Sequence, residues 1–240
     1  MSVIAVIPAR YQSSRFPGKP LADINGKSMI HHVWDIACQV DCLSRVIIAT
    51  DDDRIFNHVM GFGAEVMMTS KEHNNGTERI AEVVRKLPEK FDVVINIQGD
   101  EPFLNPEQIE SLCNIIDTKN YQIATLIKST SDKEEIESPN VVKVVKSQNG
   151  KALYFSRYPI PYNRQNIQDI TYFKHIGMYA FKSDILQNLI TLPISTIEKA
   201  ESLEQLRWLD AGYSIGVGIT EYDSIGIDTP EDLENAIRNL

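Results

Sequence analysis

Short, β-branched apolar segments alternate with amphipathic helical patterns through the first half of this chain, and this alternation constrains its fold most strongly. The apolar segments cover residues 2–8, 45–50, 64–68 and 92–98, and the helical patterns cover 28–40, 52–62, 77–87 and 106–117. Strands that are apolar on both faces are typical of a parallel sheet covered by helices on both sides. The sequence therefore predicts an α/β protein with a Rossmann-like, mostly parallel sheet flanked by helices. Such sheets bind ligands at the carboxyl ends of their strands.

The pattern changes after Tyr121, where strand-like segments follow one another with less helix between them. Lys143 and Lys146 lie among valines, which indicates a sheet with one solvent-facing side. We therefore expect a smaller mixed or antiparallel extension at about residues 121–181.

The C-terminal part of the chain returns to the α/β alternation. Residues 200–212 are predicted as one helix, 213–219 as a strand, and Thr229-Pro230 as the start of a terminal helix. No segment rich in proline, glycine or serine divides the chain. We expect residues 1–240 to form a single domain, because this length is sufficient for a sizeable core.

The chain of 240 residues is acidic, with a formal net charge of −9. That charge argues against nucleic acid as a partner. The N-terminus carries no secretory signal pattern, and no apolar run approaches the roughly 18 residues that a membrane span needs. We therefore expect a cytoplasmic protein that has no membrane partner.

Three cations, Arg10, Arg15 and Lys19, follow the first predicted strand on this otherwise acidic chain. Guanidinium and ammonium groups bind phosphate oxygens. Neighbouring prolines stiffen the segment, so less entropy is lost on binding, and Gly18 lets the backbone approach a ligand closely. The segment suits a polyphosphate. The alternative is a solvated surface loop whose charges pair with nearby acids.

The two common glycine-rich phosphate loops are absent. Gly26-Lys27-Ser28 looks like the end of a P-loop, but Leu21 stands where its first glycine is required. Two GxG pairs occur, at Gly61 and Gly63 and at Gly216 and Gly218. Val66 and Glu221 stand where a dinucleotide fingerprint requires its third glycine. A dinucleotide-dependent oxidoreductase is therefore a poor interpretation of this sequence.

Acidic residues follow two further predicted strands. Asp100 and Glu101 come after the strand at 92–98, and Asp228 precedes the terminal helix. A working triphosphate normally brings Mg²⁺, which prefers oxygen ligands. Together with the cationic segment, Asp100 and Asp228 predict a metal-bound triphosphate and in-line displacement at phosphorus. Taken alone, Asp100 could also be a turn residue, and Asp228 could also form a helix cap together with Thr229.

Long contiguous motifs run from Ile4 to about Leu233. They read PARYQSSRFPGKPL, NNGTERIAEVV, NIQGDEPF, VVKVV, ALYFSRYPIP, KHIGMYAF, ESLEQLRWL and GIDTPEDL. In these motifs the chain resembles the 3-deoxy-manno-octulosonate cytidylyltransferases, also called CMP-Kdo synthetases. The resemblance implies a nucleotide-diphospho-sugar transferase type of fold, and transfer of CMP from CTP to the anomeric hydroxyl of Kdo with release of diphosphate. It also implies a need for Mg²⁺, a homodimer, and a product used in lipopolysaccharide or capsule synthesis.

The same resemblance implies the roles of individual residues. The phosphate contacts would be Arg10, Ser14, Arg15 and Lys19. The nucleoside contacts would be Ala9, Asn75, Gly76 and Gln98, of which Gln98 could also touch the sugar. The metal ligands would be Asp100 and Asp228, and these two acids would carry the catalysis with Arg15 and Lys19. The sugar side would consist of Arg157, His175, Tyr179, Glu204 and Gln205.

Several alternatives remain open at this point. A cytidylyltransferase for another acidic sugar, such as 8-amino-Kdo or neuraminate, would differ only on the sugar side. A catalytically silent nucleotide-binding protein is a further alternative, although the retained acids and cations argue against it. His175 fits a hydrogen-bond donor to the sugar, or simply a packed histidine, better than a general base. Arg157 matches a sugar carboxylate but could also form a structural ion pair. Asn75 replaces a serine found in many members, and its amide can still donate or accept at a base edge.

Overall fold

The computed structural model describes residues 1–119, 121–168 and 170–238. The strands are β1 (Val3–Ala9), β2 (Asp23–Ile24), β3 (Lys27–Ser28), β4 (Arg45–Thr50), β5 (Val66–Met68), β6 (Val93–Asn96), β7 (Ile123–Thr130), β8 (Lys143–Lys146), β9 (Ala152–Ser156), β10 (Tyr172–Lys182) and β11 (Ile215–Ile219). The helices are α1 (Met29–Ala37), α2 (Asp53–Gly61), α3 (Gly76–Lys86), α4 (Pro106–Lys119), α5 (Lys133–Glu137), α6 (Ser183–Leu189), α7 (Thr196–Glu201), α8 (Gln205–Asp210) and α9 (Pro230–Arg238). Among the described residues, no helix is both long enough and apolar enough to cross a membrane.

The first of two compact units contains Met1–Glu110 and Ser224–Leu240. Its sheet has the order β6-β1-β4-β5, and these strands run parallel. The side chains of β1 are almost entirely buried because its residues are apolar on both faces. The predicted parallel α/β architecture is therefore confirmed.

A second apolar cluster in this unit joins the terminal helix to the segment after β1. Ile24, Met29 and Ile227 are fully buried in it. Phe16 and Leu233 pack against these three residues. The cluster thereby places the segment that carries Asp228 next to the cationic segment. The terminal helix begins at Pro230, as predicted, and Asp232 N–H donates to the Thr229 hydroxyl at 3.1 Å.

The second unit contains Ser111–Asp223 and has a mixed sheet. β7 pairs in parallel with β11 and antiparallel with β10, and the hairpin of β8 and β9 is antiparallel. The predicted mixed extension of the sheet is confirmed, while the division of 1–240 into one domain with a subdomain at 121–181 stays a prediction.

Lys143 does not face solvent, contrary to the expectation of a sheet with one exposed side. It is fully buried, and its ammonium donates to the carbonyls of Ser138, Val141 and Arg157, each at 2.6 Å. Three acceptors satisfy the three N–H donors of a lysine, which makes its burial tolerable.

The predicted helix at 200–212 is also wrong in one respect. α7 ends at Glu201, and α8 begins only at Gln205. Ser202 between them has φ of 52°, which is left-handed and breaks the helical path. Residues with helical propensity stand on both sides of Ser202, so the break was not visible in the pattern.

A buried carboxylate on α3 makes the stability of the first unit depend on pH. Glu82 accepts from the Ser70 N–H at 2.9 Å and from Lys86 at 2.5 Å, and it also contacts His73. Burial alone would raise the pKa of Glu82, but these donors outweigh burial and lower it to about 2.

We predict that Glu82→Gln lowers the free energy of unfolding at pH 7 by up to about 3 kcal/mol. Because the folded pKa lies below the ordinary value, this stabilisation is present above about pH 4.5 and is lost as the pH falls toward 2. Urea unfolding of both proteins at pH 7 and at about pH 3 measures the difference, with the exposed Glu72→Gln as control. A difference that does not shrink at low pH would contradict the prediction.

Candidate active site

The carboxyl ends of β1, β4 and β6 meet at one edge of the parallel sheet. Ala9 lies opposite Thr50, and Val6 lies opposite Asn96. The segments that follow these strands therefore start side by side. Beside this edge lies a cavity of about 350 Å³.

Most of the predicted nucleotide and catalytic residues of this unit line that cavity. They are Ala9, Arg10, Ser14, Arg15, Lys19, Gly76, Gln98 and Asp100. Five residues that the sequence analysis did not single out also line it, namely Pro8, Gln12, Ser13, Pro20 and Gly99. Apart from Gly99, these residues stand within or beside the cationic segment, so its continuity along the chain was the available signal.

The cationic segment is shaped by packing around Tyr11. Gly18 N–H donates to the Tyr11 carbonyl at 2.8 Å, and Gly18 has a left-handed φ of 74°. A Cβ on Gly18 would lie 3.0 Å from the Tyr11 ring, and the Arg54 guanidinium lies 3.2 Å from the centre of the same ring. Gly18 is therefore required for the turn and for contact with Tyr11, which differs from the ligand approach expected from the sequence.

Lys19 joins the two predicted metal ligands. Its Nζ lies 2.5 Å from Asp100 Oδ2 and 3.1 Å from Asp228 Oδ1, and it donates to the Ile227 carbonyl at 3.0 Å. The side chain is only 14% exposed. Burial lowers the pKa of Lys19, but the contacts with Asp100 and Asp228 outweigh burial and raise the pKa above its ordinary value. Lys19 is therefore charged at neutral pH.

Arg15 also pairs with Asp228, at 2.8 Å. Both side chains are largely exposed, so this pair contributes little stability. An exposed guanidinium that is weakly held in this way can move to a ligand at low cost.

The side chain of Asp228 does not cap the terminal helix, which was the alternative role for this residue. Asp232 accepts the N–H groups of Asp228 and Thr229 at 3.0 and 2.8 Å, and the Thr229 hydroxyl caps the helix. The carboxylate of Asp228 instead faces Arg15 and Lys19.

Asp100 and Glu101 have different environments. Asp100 lines the cavity, and its carbonyl accepts the Ile227 N–H at 2.9 Å. Glu101 is buried, and burial is the main reason that its pKa is raised to about 7. Only Asp100 of this adjacent pair presents its carboxylate to the cavity.

Asn75 and Gly76 start α3 beside the cavity. The Asn75 side chain caps the helix by accepting the Glu78 N–H at 2.8 Å. A Cβ on Gly76 would lie 3.3 Å from Pro8 Cγ, so this glycine allows α3 to approach the end of β1. The predicted contact of Asn75 with a base stays a prediction.

The predicted sugar-side residues belong to the second unit. The Arg157 guanidinium donates to the carbonyls of Glu201 at 2.7 Å, Pro139 at 2.8 Å and Ser202 at 3.4 Å. Its place is thus fixed by main-chain acceptors, and among the described residues the guanidinium forms no ion pair with a carboxylate. Binding of a sugar carboxylate by Arg157 stays a prediction.

His175 and Tyr179 stand on β10 of this unit. His175 Nε2 lies 2.9 Å from the Thr125 hydroxyl, and its ring packs against Phe155 and Tyr179. Burial lowers the pKa of His175 to about 3, so the ring is neutral and a weak base at pH 7. Burial also raises the pKa of Tyr179.

Glu204 and Gln205 stand at the start of α8. Glu204 occupies the N-cap position of this helix, and Gln205 is its first residue and is buried. Their predicted contacts with a sugar stay predictions.

The two carboxylates that contact Lys19 fit a divalent cation. Asp100 Oδ2 and Asp228 Oδ1 approach one and the same nitrogen, so two hard oxygen ligands face one point. Within the described ranges, no group of three or more histidine, cysteine, aspartate or glutamate side chains is arranged to hold a metal. A cation bound here would therefore need further oxygens from phosphate or water, as Mg²⁺ commonly takes.

Comparison with known proteins identifies the class. Residues 4–216 match the family model described as cytidylyltransferase. The chain is 51% identical to a 3-deoxy-manno-octulosonate cytidylyltransferase of Cytophaga hutchinsonii, covering 97% of this chain and 95% of the relative. It is also 51% identical to the protein of that name from Parabacteroides distasonis, covering 100% and 98% of the two chains.

Solved structures agree with these relatives. The structure of a CMP:2-keto-3-deoxy-manno-octonic acid synthetase complexed with CTP matches with a TM-score of 0.94 and 45% identity, covering 100% of this chain and 98% of that chain. A 4-diphosphocytidyl-2C-methyl-D-erythritol synthase from Anaerococcus prevotii shares the fold, with a TM-score of 0.66 and 15% identity over 99% and 97% of the chains. This chain therefore belongs to the cytidylyltransferase family and, within it, to the 3-deoxy-manno-octulosonate cytidylyltransferases.

Gly99 permits the close approach of the segment after β6 to the end of β1. A Cβ on Gly99 would lie 2.7 Å from the Pro8 carbonyl oxygen. We predict that Gly99→Ala lowers the free energy of unfolding by roughly 1–3 kcal/mol, because a backbone oxygen cannot yield without displacing β1. Urea unfolding at pH 7 measures the change.

Gly226→Ala provides the matched control. Gly226 also stands shortly before a site carboxylate, and a Cβ there would meet nothing within 4 Å. Equal effects of the two substitutions would show that the contact between Gly99 and Pro8 is not a constraint.

Proposed function

We propose that this chain transfers CMP from CTP to 3-deoxy-D-manno-octulosonate, an acidic eight-carbon sugar abbreviated Kdo, and releases diphosphate. The product would serve lipopolysaccharide or capsule synthesis. The observation that carries the proposal is the meeting of Lys19 with Asp100 and Asp228 beside a cavity that Arg10 and Arg15 also line or border. The names of the full-length relatives support the choice of Kdo.

In the proposed reaction the anomeric hydroxyl of the sugar attacks the α-phosphorus of CTP. A new oxygen–phosphorus bond forms while the bond between the α-phosphorus and the leaving diphosphate breaks, and the hydroxyl proton is lost to solvent. Negative charge develops on the diphosphate, which Arg15 and Lys19 would stabilise. Arg10 and Ser14 would fix the phosphates from the same segment.

The nucleoside would lie on the backbone around the end of β1 and the start of α3. Ala9, Asn75, Gly76 and Gln98 are proposed to contact cytosine and ribose. Ala9 and Gly76 both line the cavity, which would put their backbone within reach of a bound base.

Asp100 and Asp228 are proposed to hold Mg²⁺. When bound, Mg²⁺ would neutralise the phosphates and lower the pKa of the attacking hydroxyl. Because Mg²⁺ would then neutralise the two carboxylates, the Lys19 ammonium would be available to donate to phosphate oxygens.

The sugar side is proposed to consist of Arg157, His175, Tyr179, Glu204 and Gln205. His175 would act as a hydrogen-bonding residue, because a pKa of about 3 makes it a poor proton acceptor at neutral pH. Arg157 would bind the sugar carboxylate.

Diphosphate release tests this function. Full-length protein with CTP and Mg²⁺ is given Kdo, 8-amino-Kdo or neuraminate, and we expect release with Kdo above the other two acids. Removal of Mg²⁺ by a chelator should stop release. No release with any of the three sugars would overturn the function, and faster release with 8-amino-Kdo or neuraminate would replace Kdo by that sugar. Release that persists in excess chelator would remove the metal from the proposal.

We predict that Lys19→Met lowers kcat/KM for CTP by about 10²–10³-fold, because a preorganised cation at the leaving group is lost. Lys27→Met is the control, since Lys27 is about half exposed and pairs with Asp35 outside the cavity. Circular dichroism establishes that both variants are folded. A Lys19→Met protein with unchanged kinetics would contradict the role of Lys19, and an unfolded one would favour a structural role.

We further propose that the protein acts in the cytoplasm as a homodimer. In the second unit Leu153, Tyr158, Tyr162 and Ile194 are all more than half exposed, and exposed apolar side chains of this size suit a protein interface. Sedimentation of the full chain distinguishes the dimer from a monomer.

A further inference from the structure

A buried ion pair beside the cavity has no part in the proposed function described so far. Arg79 on α3 is fully buried, and its Nη2 lies 2.8 Å from Asp51 Oδ2. The Arg79 guanidinium also donates to the Thr69 hydroxyl and, at 3.4 Å, to the Ser70 carbonyl. Three partners, Asp51, Thr69 and Ser70, therefore hold the two terminal nitrogens of the Arg79 guanidinium.

Strand register places Asp51 beside Arg10. Ala9 and Thr50 are the last pair in the parallel ladder of β1 and β4, and Arg10 and Asp51 are the residues that directly follow the two strands. Arg10 lines the cavity. Burial and the charge of Arg79 lower the pKa of Arg10, whereas the charge of Asp51 raises it. Arg10 and Arg79 are thus two cations that compete for one carboxylate.

Arg79 holds that carboxylate, and the other acid near Arg10 is also engaged. Glu78, whose charge acts on Arg10 as well, accepts the Asn74 N–H at 2.8 Å. Within residues 1–119, 121–168 and 170–238, Arg10 makes no ion pair and no side-chain hydrogen bond of its own. The donors of its guanidinium therefore remain available to a ligand in the cavity.

We propose that Arg79 is a positioning residue that holds Asp51 and thereby keeps Arg10 available for the phosphates of CTP. A carboxylate released next to Arg10 would capture it, because an Arg–carboxylate pair offers two parallel hydrogen bonds. This inference rests on the proposed function, since it presumes that CTP phosphates bind at Arg10.

Two substitutions break the same ion pair with different expected effects on the affinity for CTP. Arg79→Met frees a charged Asp51 that can capture Arg10, so we expect affinity for CTP to fall about ten- to a hundredfold, as for loss of a hydrogen bond to a charged group. Asp51→Asn breaks the pair without leaving a charged competitor, so we expect affinity close to that of the wild type. In Asp51→Asn/Arg79→Met the competitor is again absent, and affinity should return to near the wild-type value.

Calorimetric titration with CTP and Mg²⁺, without sugar, measures these affinities at a temperature where circular dichroism shows each variant folded. Arg45→Met is the matched control, because Arg45 pairs with Glu65 at 2.5 Å and Glu89 at 2.9 Å at the opposite end of β4. This control should lose stability and keep its affinity for CTP.

Each other result overturns the inference. Equal losses in Asp51→Asn and Arg79→Met would mean that the pair only supports the fold. A loss in the double variant that Asp51→Asn does not share would mean that Arg79 acts through its own charge on the ligand.

If Arg79→Met does not fold, Asp51→Asn and the double variant decide the matter, because removing both partners leaves no unpaired buried charge. Near wild-type affinity in both would show that Arg79 is dispensable once Asp51 is neutral. A wild-type protein that does not bind CTP would refute the proposed function itself, which is a separate outcome.

Discussion

The parallel pairing of β1 with both β4 and β6 is the constraint on which the site depends. A parallel ladder brings the carboxyl ends of neighbouring strands to the same edge. Because β1 is central, Arg10 after β1, Asp51 after β4 and Gln98 after β6 start from that edge together. The burial of all three strands fixes their register, since a shift of one residue would exchange the faces of every side chain. Packing of the core thus determines which charged groups meet.

Lys19 then joins three distant segments of the chain at that edge, namely its own and those that carry Asp100 and Asp228. Its ammonium bonds to Asp100, to the Ile227 carbonyl and to Asp228, while the Ile227 N–H binds the Asp100 carbonyl. Burial of Ile227 with Met29 keeps the last of these segments in place. The structure therefore uses one lysine both to neutralise two acids and to close the first unit. That dual use explains how a cation-rich segment is accommodated on a chain with a net charge of −9.

The sequence could predict those parts of the site that follow from strand ends. Arg10 and Asp100 come directly after recognisable apolar strands, and Asp228 comes directly before a recognisable helix start. The rest depends on contacts between distant positions. The pair of Arg79 with Asp51 spans 28 residues and exists because α3 packs beside the residue that follows β4. Ser202 breaks a helix through a backbone angle that serine rarely adopts, and Lys143 is buried because three carbonyls happen to surround it. Local pattern carries no signal for such arrangements.

Carboxylates beside the candidate anion site would repel an anion, and they are neutralised in two different ways in this molecule. Asp100 and Asp228 are neutralised by Lys19, a cation that itself borders the cavity, whereas Asp51 is neutralised by Arg79, a cation that is fully buried. A cation at the border of the cavity can exchange its carboxylate partners for a ligand. Lys19 would therefore either neutralise Asp100 and Asp228 or bind the ligand. A fully buried cation such as Arg79 cannot reach a ligand in the cavity, so its electrostatic effect is limited to neutralising the acid with which it pairs. Loss of Lys19 would therefore remove a proposed ligand contact and expose two acids at once, while loss of Arg79 would expose one acid and leave every proposed ligand contact chemically intact. Neutralising the exposed acid can therefore compensate for the loss of Arg79. It cannot compensate for the loss of Lys19.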